Sequence, residues 1–306
     1  MRHSTPLLSA LAMSLACISL APVIAQQVGA PSGTGPHPAI AESRGELPRH
    51  TVYRPAALPP SALPLYVWGN GGCSGNGLAH AAYLRQIASQ GYIIVSLGAA
   101  GGGAPAPADG STDATQASQM IEAIEWAERE TARDGGAFHR RIDVTRIAVG
   151  GHSCGGLQAL SVSHDSRIDT TLVLNSGIYN VPGSGRSRIR VDKSQLARLH
   201  GPTLYLTGGP SDIAHPNATD DVARIDRVPV FLGSLPVGHG GTFSAPDGGE
   251  WARISARWLD WQLKADADAS RDFAGQDCRL CADTRWTVAQ KQLPTPTGPL
   301  RQSPQR

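Results

Sequence analysis

The chain has 306 residues, 27 Lys and Arg against 25 Asp and Glu, and a formal net charge of +2. Near-neutrality, with no basic run and no basic stripe interleaved with aromatics, leaves no electrostatic footprint for nucleic acid or another polyanion. The length allows one sizeable hydrophobic core.

Residues 1–25 begin with Arg2, run apolar from Leu7 to Leu20, and reach Val23-Ile24-Ala25 before the polar Gln26. This is the pattern of a secretory signal peptide cleaved after Ala25, and its apolar run is too short to span a bilayer. Acylation of Cys17, as in a lipoprotein, is the lesser alternative, because the apolar run continues past it. No later segment is long and apolar enough for a stable membrane span. Export makes the protein secreted or periplasmic and leaves four cysteines, Cys73, Cys154, Cys278 and Cys281, for which disulfides are the default in an oxidising compartment.

Residues 26–48 are rich in Gly, Pro and small side chains without hydrophobic periodicity, and are expected as an extended lead-in. A domain over 49–290 follows, and 291–306 reads as a flexible tail. Strands are expected at His50–Arg54, Leu63–Trp68, Tyr92–Leu97, Arg146–Gly150, Thr171–Leu174, Thr203–Thr207 and Val228–Leu232. Helices alternate with them. Ala81, Leu84, Ile87 and Ala88 share one face, as do Ala117, Met120, Ile121, Ile124 and Ala127, and a short helix covers about 156–163. A last helix carries Trp251, Ile254, Trp258 and Trp261 on an apolar stripe that reads as core. Residues 98–111 and 175–200 read as loops, the second with Arg186, Arg188 and Arg190 as a solvated cluster. Alternating strands and helices of this kind predict an α/β fold with a mostly parallel central sheet flanked by helices.

The apolar strand at 146–150 runs straight into Gly151-His152-Ser153-Cys154-Gly155. A serine at a strand-to-helix junction, boxed by Gly151 and Gly155, fits a nucleophile elbow. The turn strains the serine backbone, its neighbours must lack a Cβ, and the next N–H faces any developing oxyanion. In an open parallel sheet the chemistry belongs at the carboxyl ends of strands. Those ends present Asn70 to Ser74, Ser153, Asp212 and His239. Ser153 needs a base, and His239 sits in a glycine-framed loop after the last strand; the base needs an orienting carboxylate, and Asp212 follows the Thr203–Thr207 strand. The rivals are His215, on the acid's own loop, and Asp220 or Asp221 nearby. The plain alternative for the serine is a tight turn. A dinucleotide fingerprint starting at Gly69-x-Gly71 fails at Ser74, and Cys278-x-x-Cys281 has no partner pair for a metal. No cofactor or metal is expected.

Serine, acid and histidine occur in the chain order found in the α/β-hydrolase superfamily, which the sequence resembles from Thr51 to about Phe273. The tail, a Trp-rich helix followed by Lys264-Ala265-Asp266 and Phe273 before a cysteine pair, is similar to secreted esterases of the cutinase-like, polyesterase and dienelactone-hydrolase-like groups. The resemblance implies the α/β-hydrolase fold and Ser153, Asp212 and His239 as a catalytic triad. It also matches Asn70-Gly71-Gly72-Cys73 to a His-Gly-Gly-type oxyanion loop, with Asn70 in place of the histidine. The oxyanion donors would come from Gly72 or Cys73 and from Cys154. Two loops that form one hole lie side by side, so Cys73 and Cys154 could be bridged, with Cys278 and Cys281 closing a local loop; alternatively Cys154 is a small buried residue. The expected activity is hydrolysis of a small-molecule or polymeric carboxylic ester. An amide or peptide hydrolase on the same residues and a non-catalytic binding protein are the alternatives.

Overall fold

The computed structural model describes Met1 and residues 25–102, 114–183 and 189–294. Residues 2–24 of the expected signal segment, Arg186 and Arg188, most of the 98–111 loop and most of the C-terminal tail lie outside those residues. Among the described residues ten strands form one sheet: β1 (Gln26–Ser32), β2 (Ala39–Ser43), β3 (His50–Pro55), β4 (Leu63–Gly69), β5 (Ile93–Leu97), β6 (Ile142–His152), β7 (Thr170–Leu174), β8 (Thr203–Thr207), β9 (Val230–Ser234) and β10 (Thr287–Lys291). Their order is β1-β2-β3-β5-β4-β6-β7-β8-β9-β10. The six central strands from β5 to β9 pair in parallel, while β1, β2 and β3 at one edge and β10 at the other pair antiparallel.

Two boundaries differ from the sequence reading. Residues 26–48, expected as a lead-in, contribute β1 and β2, so the sheet begins at Gln26; β10 carries it to Lys291. β1 escapes periodicity because nearly all its residues are exposed, which leaves no hydrophobic face to read.

Helices cover both faces. On one side lie α1 (Ala81–Ser89) and α5 (Gly249–Lys264), packed on Tyr66, Trp68, Ile94, Leu172 and Leu204. On the other side α2 (Ser118–Ala132) and α3 (Cys154–Val162) pack on Leu65, Val67, Val95, Ile147 and Val149, and α4 (His215–Arg224) extends that layer over Tyr205 and Val230. Leu65 and Val67 thus face one layer and Tyr66 and Trp68 the other. This two-sided burial explains why the central strands read as unbroken apolar runs. The α5 stripe is core: Trp251, Ile254 and Trp258 are fully buried, and Trp258 Nε1 donates to Thr170 Oγ1 at 2.9 Å. Truncating such a tryptophan to alanine costs about 3–5 kcal/mol.

The consequence for the site is positional. β4, β6, β7, β8 and β9 are neighbours or near neighbours in one parallel array, so the loops leaving their carboxyl ends crowd together. Those loops carry Asn70 to Ser74, Ser153, Asn175, Asp212 and His239 respectively.

Candidate active site

Ser153 sits between β6 and α3 with φ +52° and ψ −116°, outside the regions an L-residue adopts without strain. Close packing enforces this turn. A Cβ on Gly155 would lie 2.0 Å from the Gly69 carbonyl oxygen, and one on Gly151 would lie 2.3 Å from the Gly155 carbonyl carbon. Both obstacles are backbone, so neither glycine has a substitute. The Ser153 N–H is tied to the Leu174 carbonyl at 3.0 Å, and its own carbonyl accepts from Ser176 Oγ at 2.6 Å. The serine backbone is therefore held from the neighbouring strand.

The three residues selected from the sequence meet. Ser153 Oγ lies 3.0 Å from His239 Nε2, and His239 Nδ1 lies 2.6 Å from Asp212 Oδ1. The carboxylate can only accept when ionised, so Nδ1 carries the ring proton and Nε2 presents its lone pair to the hydroxyl. The Asp212 and His239 loops are locked together through glycines. Gly238 N donates to Gly208 O at 2.8 Å, and a Cβ on Gly208 would fall 1.8 Å from Gly238 O.

Asp212 is 1 % exposed and fully satisfied. Burial alone would raise its carboxyl pKa, but His239, the backbone N–H groups of Gly208 and Ala214, and the Asn175 amide bring it down to about 2. The rivals occupy other places. His215 Nδ1 pairs with Thr207 Oγ1, Asp220 with Arg224 and Lys193, and Asp221 with Lys193, the Ile178 N–H and the Tyr205 hydroxyl.

The structure adds Asn175, a fully buried residue at φ +45° directly after β7. Its Nδ2 donates to Asp212 Oδ2 at 2.8 Å and to Gly238 O at 3.1 Å, and its Oδ1 accepts from Trp251 Nε1 at 2.6 Å. No motif marks it. The signal that could have found it is its place at a carboxyl strand end, the same rule that selected its neighbours.

The Gly71–Cys73 loop after β4 holds two consecutive left-handed residues, Gly72 at φ +61° and Cys73 at φ +46°. Gly72 faces open space, with nothing within 4 Å of a notional Cβ. Three ties fix the loop. A disulfide joins Cys73 to Cys154, Cα to Cα 5.2 Å. The Cys73 carbonyl accepts from both the N–H and the hydroxyl of Thr115 at 3.1 Å, and Thr115 accepts from Gln158 Nε2 on α3. Asn70 anchors the loop's start, donating from Nδ2 to Leu97 O and accepting at Oδ1 from Trp68 Nε1 and His80 Nδ1. A second disulfide closes Cys278 to Cys281, as the sequence expected.

Ser153 and His239 open onto a cleft of about 50 Å³ whose walls include Leu157, Tyr179, Ile213 and Asn217. Ile213, beside Asp212, is 77 % exposed at the rim. Among the described residues no group of three or more His, Cys, Asp or Glu could hold a metal ion, and no helix is long and apolar enough to cross a membrane. Compared with known proteins, the chain matches no family model and no curated protein.

Proposed function

We propose that the protein is an exported serine hydrolase of α/β-hydrolase type that cleaves carboxylic esters through an acyl-enzyme. The observation that carries this reading is the hydrogen-bonded chain from Ser153 Oγ through His239 to Asp212, built on a serine held at positive φ. The order of these residues along the chain and their positions after β6, β8 and β9 support the superfamily assignment.

In the first step His239 Nε2 takes the proton as Ser153 Oγ attacks the ester carbonyl carbon. Asp212 stabilises the imidazolium formed. The oxyanion falls to backbone N–H groups of the two disulfide-joined loops, Gly72 or Cys73 on one and Cys154 on the other. Collapse expels the alkoxide, which receives the proton from His239. Water then attacks the acyl-serine by the same route, releases the acid and restores the serine. Esters make the smaller demand on this machinery, because an amine must be protonated before its C–N bond breaks. The N-terminal leader pattern and the two disulfides support an oxidising compartment outside the cytoplasm.

The test is a panel of p-nitrophenyl esters of rising chain length, matched anilides and a polyester film, run beside fluorophosphonate labelling. Wild type should turn over esters and be labelled at Ser153, and Ser153→Ala should do neither. Normal turnover in Ser153→Ala refutes the assignment, and an unlabelled, inactive wild type points to a binding protein instead.

A further inference from the structure

His152, immediately before the serine, carries a hydrogen bond that the proposed mechanism does not use. Its Nε2 lies 3.0 Å from the main-chain carbonyl oxygen of His239. A carbonyl only accepts, so Nε2 bears the proton and Nδ1 is left with its lone pair. Nδ1 is buried without a partner, pressed so close to Gly71 that a Cβ there would sit 2.4 Å away. It packs against the rings of His80, His239 and Phe243 at centroid distances of 5.1, 5.3 and 4.9 Å. Burial, foremost, brings the His152 pKa down to about 4, so the ring beside the base stays neutral.

This bond runs from the residue before the nucleophile to the backbone of the base, across 87 residues of chain. β6 fixes His152, since its backbone pairs with Leu174 of β7. The His239 loop is otherwise secured from the acid side, through Gly238 to Gly208 and Asn175. We propose that His152 is a positioning residue: its Nε2–H, donated to the His239 carbonyl, holds the base's loop in register with Ser153 Oγ. The proposal rests on the hydrolase reading for its kinetic consequences but not for its structural one.

The test compares His152→Leu, which keeps the volume without a donor, with His152→Gln, whose Nε2 can take the donor's place. The readouts are kcat and KM on a soluble p-nitrophenyl ester, the rate of fluorophosphonate labelling, and the downfield NMR resonance of the His239 Nδ1 proton bound to Asp212. Small misplacements of reacting groups cost one to two orders of magnitude. The leucine variant should therefore lose about tenfold or more in kcat and labelling rate with KM within about twofold, and its Nδ1 resonance should broaden. Glutamine should restore most of both. Wild-type kcat and labelling in His152→Leu, or a glutamine variant as impaired as the leucine one, overturns the proposal. If the leucine variant does not fold, the glutamine variant decides alone: retention of the resonance supports the proposal, and its loss overturns it. If wild type neither turns over nor labels, the hydrolase reading fails by itself, and the resonance in the two variants still judges His152.

Discussion

Asn175 stands between Trp251 and Asp212, accepting the indole N–H at 2.6 Å and donating to the carboxylate at 2.8 Å. The indole fixes which end of the amide faces which partner, because only the oxygen can accept from it and only the NH2 can donate to Asp212. A helix on one face of the sheet is thereby linked by hydrogen bonds through Asn175 to Asp212, and through Asp212 to His239.

Asn175→Asp keeps this shape and the Trp251 bond but sets a second carboxyl against Asp212. Two carboxylates at hydrogen-bond distance cannot both ionise freely, so one retains a proton or both raise the affinity of His239 for one. The expected result is a kcat lowered by about tenfold or more and an acid limb of the pH–rate profile moved to higher pH. Rates from pH 4.5 to 9 read both effects. A wild-type profile would mean that the amide plays no part in setting the acid.

The two disulfides should differ in their effect on stability. Cys73–Cys154 spans 81 residues and Cys278–Cys281 only 3. Loop-closure entropy assigns about 4.5 kcal/mol to the first and about 2 kcal/mol to the second. The Cys73→Ala/Cys154→Ala pair should lower the urea midpoint more than the Cys278→Ala/Cys281→Ala pair. On the hydrolase proposal it should also depress kcat with little change in KM, since it frees the loop proposed to hold the oxyanion. Equal midpoints, or a loss confined to KM, would contradict the bracing role.

The contrast between Ser153 and Asn175 marks how far the sequence carries. β6 and its elbow were legible because an apolar run and two glycines answer to local steric demands, and residues 151, 155 and 69 meet through backbone alone. Asp212 and His239 were legible once the sheet rule placed them at strand ends. The contacts of Asn175 and His152 were not, because they are made with partners far away in the chain, Trp251 at 76 residues and His239 at 87. The edge strands β1 and β10 were missed because a strand with few or no buried residues carries little alternation, and α4 because its polar face, with Asp220 and Arg224, outweighs a short buried stripe of Ala218 and Val222.

Glycine substitutions at the elbow give a sharp test of that steric reading. Gly155→Ala would force its Cβ into the Gly69 carbonyl, a contact no side-chain rotation relieves, and should prevent soluble expression or lower the melting temperature severely. Gly240→Ala, one residue past the proposed base, meets nothing within 4 Å and should leave the melting temperature within a degree or two. Thermal melts of the two purified variants decide. Comparable stability would show that strand and helix can separate at the elbow.

The pH dependence of stability follows from the buried histidines. Burial takes His80 down to about 3, with the nearby His152 adding to it, and takes His152 to about 4, with the nearby His239 adding to it; burial lowers His50 as well. Unfolded histidines protonate near pH 6.5. Below that pH the unfolded chain binds protons that the folded chain refuses. The contribution is therefore fully present above about pH 6.5 and is lost as pH falls toward the folded values. Asp221 runs the other way: burial raises it to about 6 despite its bonds to Lys193, Ile178 and Tyr205, so folding takes up a proton there and part of the loss is offset between pH 6 and 4. Asp212, held at about 2, adds its own loss only below pH 4. His152 is faced by His80, His239 and, through space, Asp212. Replacing it with glutamine removes about one proton from the slope of unfolding free energy against pH between 6 and 4.5. Urea unfolding at half-unit steps across that window measures the slope. An unchanged slope would mean that His152 already carries its proton in the folded protein.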